Sequence, residues 1–183
     1  MRTYLTLLVL LLAPALGQAD NPLLNRAFWE TATPEQVSAA VQRGADVKAR
    51  DDSGSTPLDY AASFNPNPEV IKTLVSLGAD VKARDTIGST PLHYAAFNNP
   101  NPEVIKTLVS LGADVKARDD SGFTPLHLAA RFSKEPKVVL VLLELGADPK
   151  ARTSGGKTPF DLIQENADLK GTEAYWKLND LRY

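Results

Sequence analysis

A period of 34 residues runs through this chain, and no other feature limits its fold so tightly. Thr-Pro-hydrophobic-(Asp/His) begins at Thr56, Thr90, Thr124 and Thr158, and Gly-Ala-Asp begins at Gly44, Gly78, Gly112 and Gly146. From each Thr to the next Gly the interval is 22 in all three complete units. A unit this small cannot bury its own apolar face. Repetition at a fixed step therefore predicts a solenoid, in which every layer is completed by the layers beside it.

Each unit reads as two helices. Thr56, Thr90, Thr124 and Thr158 are placed to cap the first, with Pro at the first helical position, where its missing N–H costs nothing. The alanine pairs Ala61-Ala62, Ala95-Ala96 and Ala129-Ala130 keep that helix thin enough for the next layer to approach. Asn67-Pro68-Glu69 and Asn101-Pro102-Glu103 repeat the logic for the second helix, with an acid in its first turn. Val70, Ile71, Leu74, Val75 and Leu77 recur at helical spacing as its core face. Gly78, Gly112 and Gly146 stand where a helix C-terminus needs a left-handed residue. Asp-Ser-Gly at 52–54 and 120–122 supplies the turn of a hairpin leading into the next unit.

A length of 34 is shared with tetratricopeptide repeats, whose Trp, Leu-Gly, Tyr and terminal Pro do not recur here in phase. Thr90-Pro91-Leu92-His93-Tyr94-Ala95-Ala96 and Thr124-Pro125-Leu126-His127-Leu128-Ala129-Ala130, each followed by an apolar helix and Gly-Ala-Asp, resemble the ankyrin repeat family, over about Thr33 to Ile163. The resemblance implies an all-α solenoid of stacked helix-turn-helix repeats with projecting β-hairpin loops. It also implies binding of a protein partner on the concave surface. Two departures stand out. Ankyrin units usually have 33 residues, and the extra one is expected between the helices, in the stiff crossovers Asn65-Pro66-Asn67-Pro68 and Asn99-Pro100-Asn101-Pro102. Val-Lys-Ala-Arg replaces the common Val-Asn-Ala, placing Lys48, Lys82, Lys116 and Lys150, with Arg50, Arg84, Arg118 and Arg152, in one row beside rows of aspartates. Interleaved signs predict a solvated ladder of salt bridges, with a basic rail for an acidic partner as the competing reading.

The ends read as variant caps. Leu23, Leu24, Phe28 and Trp29 form an incomplete opening helix, and Thr33-Pro34-Glu35-Gln36 a capping box for the helix after it. At the other end, Tyr175, Trp176, Leu178 and Leu181 suit a closing helix with one apolar side. Residues 1–19 are set apart. Arg2, the leucine-rich run Leu5–Ala13, and the small residues Ala15, Gly17 and Ala19 form the pattern of a cleavable signal peptide, cut after Gly17 or Ala19. The expected layout is a leader over 1–19 and a repeat domain over 20–183. The domain divides into a capping repeat at 20–50, full repeats at 51–84, 85–118 and 119–152, and a capping repeat at 153–183. No cysteine is present, which excludes disulfides and a thiol-linked lipid anchor. Net charge is −2, giving no bulk basicity to attract nucleic acid. The expectation is a monomeric periplasmic or secreted protein with no membrane span after cleavage.

Catalytic patterns are scarce. His93 and His127 fill the fourth motif position, where the family uses His to hydrogen-bond neighbouring turns; Asp59 and Asp161 fill the same slot elsewhere. Asp51-Asp52-Ser53-Gly54 and Asp119-Asp120-Ser121-Gly122 lack the twelfth-position acid of a calcium loop. Ser154-Gly155-Gly156-Lys157-Thr158 lacks the first glycine of a phosphate loop. No catalytic residue, cofactor or metal is expected.

Function is then expected where the repeats differ. Residues 65–85 and 99–119 are identical and read as scaffold, whereas the tips and the outward side of the first helices vary. Asp52, Ser53, Ser55, Ile87, Ser89, Phe97, Asp120, Phe123 and Arg131 are the candidate partner-binding residues, with Ile87 and Phe123 as exposed apolar anchors. Resemblance to short exported bacterial ankyrin proteins implies support of an envelope stress-defence enzyme, or immunity against a toxin. An enzyme with a carboxylate site and a module tethered to envelope polymers by the basic row are the readings from other classes.

Overall fold

A computed structural model describes residues 21–183 of the chain; the expected leader lies outside the described residues. Ten α-helices follow a 3₁₀ turn at Pro22–Leu24: α1 (Arg26–Trp29), α2 (Pro34–Gln42), α3 (Pro57–Phe64), α4 (Pro68–Ser76), α5 (Pro91–Asn98), α6 (Pro102–Ser110), α7 (Pro125–Phe132), α8 (Pro136–Glu144), α9 (Pro159–Ile163) and α10 (Glu173–Leu181). Odd-numbered helices pack on one another in one row and even-numbered helices in a second. The first row is the closer-packed. Among the described residues no helix is long and apolar enough to cross a membrane.

Close packing of the first row comes from its alanines. Ala61, Ala62, Ala95, Ala96, Ala129 and Ala130 are all essentially buried, with Leu58, Leu92 and Leu126 filling the space between the rows. Capping proceeds as expected. Thr56 Oγ1 accepts from Asp59 N–H while the Asp59 carboxylate accepts from Thr56 N–H at 2.7 Å, and Thr158 with Asp161 repeats the exchange. Thr33 and Gln36 form the same box ahead of α2. Gly78, Gly112 and Gly146 have φ of 100°, 104° and 92°, values that an L side chain rarely adopts, and each ends a helix of the second row.

The projecting loops differ from expectation. Among the described residues there is no β-strand, and each finger is a single tight turn. In the first finger Asp51 N–H donates to the Ser55 carbonyl at 3.0 Å and Gly54 N–H to Asp51 at 2.9 Å. Adjacent fingers are joined by isolated backbone bonds: Thr86 to Ser53, Asp120 to Ile87, and Ser154 to Ser121. Two paired residues per arm are too few for a ladder, so each finger is held by its turn, by the Asp side chain at its base and by the bond to its neighbour.

Between helices of one unit, a buried asparagine ties the crossover to the layer before it. Asn65 Nδ2 donates to the carbonyls of Trp29 and Ala32 at 2.8 and 2.9 Å, and Asn99 Nδ2 to those of Ala62 and Asn65 at 2.8 and 2.9 Å. Each side-chain oxygen also accepts from the N–H two residues on. Asn166 does the same work for the last layer. Ser133 occupies the third position; its hydroxyl bonds only within its own unit, to the Glu135 backbone.

The basic row is organised differently from a salt-bridge ladder. Arg50 and Arg84 reach the carbonyls of Arg84 and Arg118 in the following unit at 2.8 and 2.9 Å, and Arg118 reaches that of Arg152. Arg84 also pairs with Asp120 at 3.6 Å. Asp46, Asp80, Asp114 and Asp148 instead accept from the backbone N–H of Lys48, Lys82, Lys116 and Lys150. A guanidinium offers several fixed donors, and a finger carbonyl lies within its reach, so the backbone takes what the carboxylates were expected to hold.

At the ends, Trp29 and Leu23 are fully buried, and the Trp29 indole N–H donates to the Leu23 carbonyl at 3.0 Å. In α10 the buried residues are Ala174 and Leu178, while Trp176 is 56% exposed. This corrects the expected core side, because Trp176 lies two residues from each of these, about 200° round the helix.

Replacing Asn99 with Ala leaves two buried carbonyls and one N–H without partners. The expected cost is about 2–3 kcal/mol, read as a lower urea midpoint with unchanged slope.

Candidate partner-binding surface

The fingers and the exposed side of the first row form one face. On it, Ile87, Ser89, His93, Tyr94, Phe97, Asp119, Leu128 and Phe132 line a groove of about 250 Å³ between the units built on α5 and α7. Ile87 is 61% exposed at the tip of its finger, and Phe97 and Phe132 are 43% exposed each. These two rings contact one another across the layers, with centroids 4.9 Å apart, and the Arg131 guanidinium lies 5.1 Å above Phe132. They pack between repeats and still present apolar surface.

Of the nine residues singled out by sequence, three converge here: Ile87, Ser89 and Phe97. Arg131 flanks the groove through its contact with Phe132. Asp52 and Ser53 lie exposed on the first finger, where the Ser53 carbonyl is already occupied by Thr86 N–H and Oγ1. Asp120 is exposed and faces Arg84. Three assignments need correction. Ser55 and Ser89 are both buried; the Ser55 hydroxyl is bonded to the Tyr94 hydroxyl at 2.9 Å, while Ser89 lies in the wall of the groove. Phe123 is half-buried, its ring set edge-on against His127 at 5.9 Å. It takes the position of Ser55 and Ser89, whose side chains turn inward, so it is no exposed anchor.

Polar groups behind the face are held by the layer structure. Asp51 accepts at Oδ1 from Ser53 and Ser55 N–H, and at Oδ2 from the Tyr60 hydroxyl at 2.8 Å. Asp85 repeats the arrangement with Ile87, Ser89 and Tyr94, the hydroxyl lying at 2.7 Å. Burial, reinforced by Asp51, pushes the Tyr60 hydroxyl up to about 12, and burial raises Tyr94 as well, so both remain donors at neutral pH. Asp119 Oδ1 likewise takes Ser121 and Phe123 N–H, but its unit has Leu128 in the tyrosine position.

His93 and His127 bridge units. His93 Nδ1 accepts from Thr90 N–H at 3.2 Å, and Nε2 donates to the Phe123 carbonyl at 3.1 Å; His127 reaches the Lys157 carbonyl in the same way. Burial lowers both imidazole pKa values, keeping the rings neutral. Asp59 fills their slot in the first complete unit. Its Oδ2 is bonded to Thr56, whereas Oδ1 is buried without a partner, and burial raises the carboxyl to about 7. A raised acid also marks many active sites, but Asp59 is 1% exposed and sealed beneath its helix cap. Among the described residues no group of three His, Cys, Asp or Glu side chains is placed to hold a metal ion.

Two family models match the chain, one for ankyrin repeats in three copies over residues 69–153 and one for ankyrin repeats in many copies over residues 41–95. The chain belongs to the ankyrin repeat family. Ankyrin repeats are protein-interaction scaffolds and typically non-enzymatic. A search of curated proteins finds no match to this sequence. Asp119, Tyr94, Leu128 and Phe132 are groove residues absent from the sequence-derived set; the Tyr60, Tyr94, Leu128 series at the repeat step was the available signal.

The buried titrating groups make opposite contributions to stability. Folded Asp59 holds a proton between pH 3.8 and about 7 that the unfolded chain has released, so its contribution is full below 3.8 and lost as pH rises through 7. The histidines contribute above 6.5 and lose that contribution as pH falls below it. Asp59→Asn therefore raises stability at pH 8 by roughly 2–4 kcal/mol and leaves pH 4 nearly unchanged. Urea unfolding of both proteins at the two pH values checks this; equal differences at both would remove the proton from Asp59.

Proposed function

We propose that this ankyrin protein acts outside the cytoplasm as a monomeric, non-catalytic scaffold. Its inner face, made by the fingers and the first-helix row, holds a protein partner of the same compartment. The leader pattern at residues 1–19 supports export, and resemblance to short exported ankyrin proteins makes an envelope enzyme the first candidate partner. One observation carries the choice of surface: Ile87, Phe97 and Phe132 stay exposed around an apolar groove, on the face where the repeats diverge. The opposite face carries the identical helices α4 and α6, whose outward residues are mostly charged or polar, with Glu69–Lys72 and Glu103–Lys106 pairs. Exposed apolar and aromatic side chains clustered about a cleft are what protein interfaces concentrate.

Tagged full-length chain recovered from its native envelope fraction tests this reading. Ile87→Ala/Phe97→Ala is expected to lose its principal partner at least about tenfold while keeping its circular dichroism spectrum. Retention of the wild-type complex in high salt is expected too, since an apolar contact is little screened. Equal recovery by the double variant, or release by salt alone, moves the interface elsewhere.

A further inference from the structure

The first two fingers form a hydroxyl cradle that the third leaves open. Tyr94 places its hydroxyl 2.7 Å from Asp85 Oδ2 and 2.9 Å from Ser55 Oγ, so a phenol is held between one finger and the preceding one. One repeat on, the corresponding groups are Asp119 Oδ2, Ser89 Oγ and residue 128, which is leucine. Among the described residues no side chain donates to Asp119 Oδ2, and none bonds Ser89 Oγ. Both residues line the apolar groove, together with Leu128 itself. Leucine ends several atoms short of a phenol oxygen, so the packing volume and the hydrogen-bonding role of the tyrosine are both missing at this layer; the closing unit also has leucine there, Leu162, but Thr153 in place of the aspartate.

We propose that this groove receives a tyrosine side chain from the protein partner, its hydroxyl donating to Asp119 Oδ2 and accepting from Ser89 Oγ. This rests on the inner face being the binding surface. Ile87, Phe97 and Phe132 enclose the ring, and the vacated cradle sets the chemistry at its far end. A purely apolar side chain would fill the groove but leave the carboxylate oxygen without a donor. A lysine would supply a donor, but no flat ring for the two phenylalanines to pack against.

The test uses full-length protein, less any leader removed on export, with N-acetyl-tyrosinamide, N-acetyl-phenylalaninamide and N-acetyl-lysinamide as probes, followed by amide chemical shifts. The tyrosine probe is expected to move the Ser89, Phe97, Asp119 and Leu128 amides. The phenylalanine and lysine probes should bind about tenfold more weakly. Leu128→Tyr should abolish probe binding, raise the thermal midpoint by restoring the bonds Tyr94 makes, and lose the partner in the capture experiment. Ser89→Ala should weaken the tyrosine probe and leave the phenylalanine probe unchanged. No shifts at these amides, equal affinity for the tyrosine and phenylalanine probes, or tighter lysine binding would overturn the proposal. So would a Leu128→Tyr protein that is destabilised or still captures the partner. If that variant captures the partner while Ile87→Ala/Phe97→Ala does not, the inner face stands and only the tyrosine anchor falls. If both capture it, the face itself is wrong.

Discussion

Backbone carbonyls in this protein are satisfied by side chains from neighbouring layers, and the rest of the structure follows from that exchange. Asn99 reaches back to Ala62 and Asn65, His93 reaches forward to Phe123, and Arg84 reaches forward to Arg118. These bonds span about one repeat, so each polar group that a short helix pair leaves open is closed by a neighbour. A lone pair of eight- and nine-residue helices would have neither its apolar face covered nor these groups bonded. Stability is thus a property of adjacency, and the ends need sequences of their own. Trp29 and Leu23 close one end; Ala174 and Leu178 close the other.

That dependence explains which parts of the architecture were legible in the residues. Caps, turns and the helix-ending glycines are local devices, so Thr33, Thr56 and Gly78 announced themselves at known offsets. The alternation of two helices per 34 residues followed from them. Partners one layer away were harder to read. The arginine row was expected to meet aspartates because charge is visible in a sequence, whereas a carbonyl in the next finger is not. Trp176 looked like core because of its type, yet its angle about α10 decided otherwise.

The binding face shows the same division. Variation between copies pointed to Ile87 and Phe97, and the structure places both on one groove. Phe123 varied as well, but its slot faces inward, a direction already carried by the serines at 55 and 89. Leu128 was visible as a change from tyrosine. Its meaning required knowing that the lost hydroxyl had served an aspartate on the finger and a serine on the one before. Asp59 is a comparable case, where a histidine slot holds an acid and burial raises its carboxyl to about 7.

Ser133 and Leu128 fall at the same junction. Elsewhere an asparagine clamps the crossover to the preceding layer, and between the first two complete units a tyrosine also pins finger to finger. Where α7 and α8 meet α5 and α6, both cross-links are missing, and the bonds of Arg84 and His93, the Asp120–Ile87 backbone bond, the Arg84–Asp120 ion pair and the Phe97–Phe132 contact remain. This junction therefore has two side-chain cross-links fewer than the one before it, and it coincides with the groove. Whatever settles there bridges the two units across the junction that has fewer side-chain cross-links.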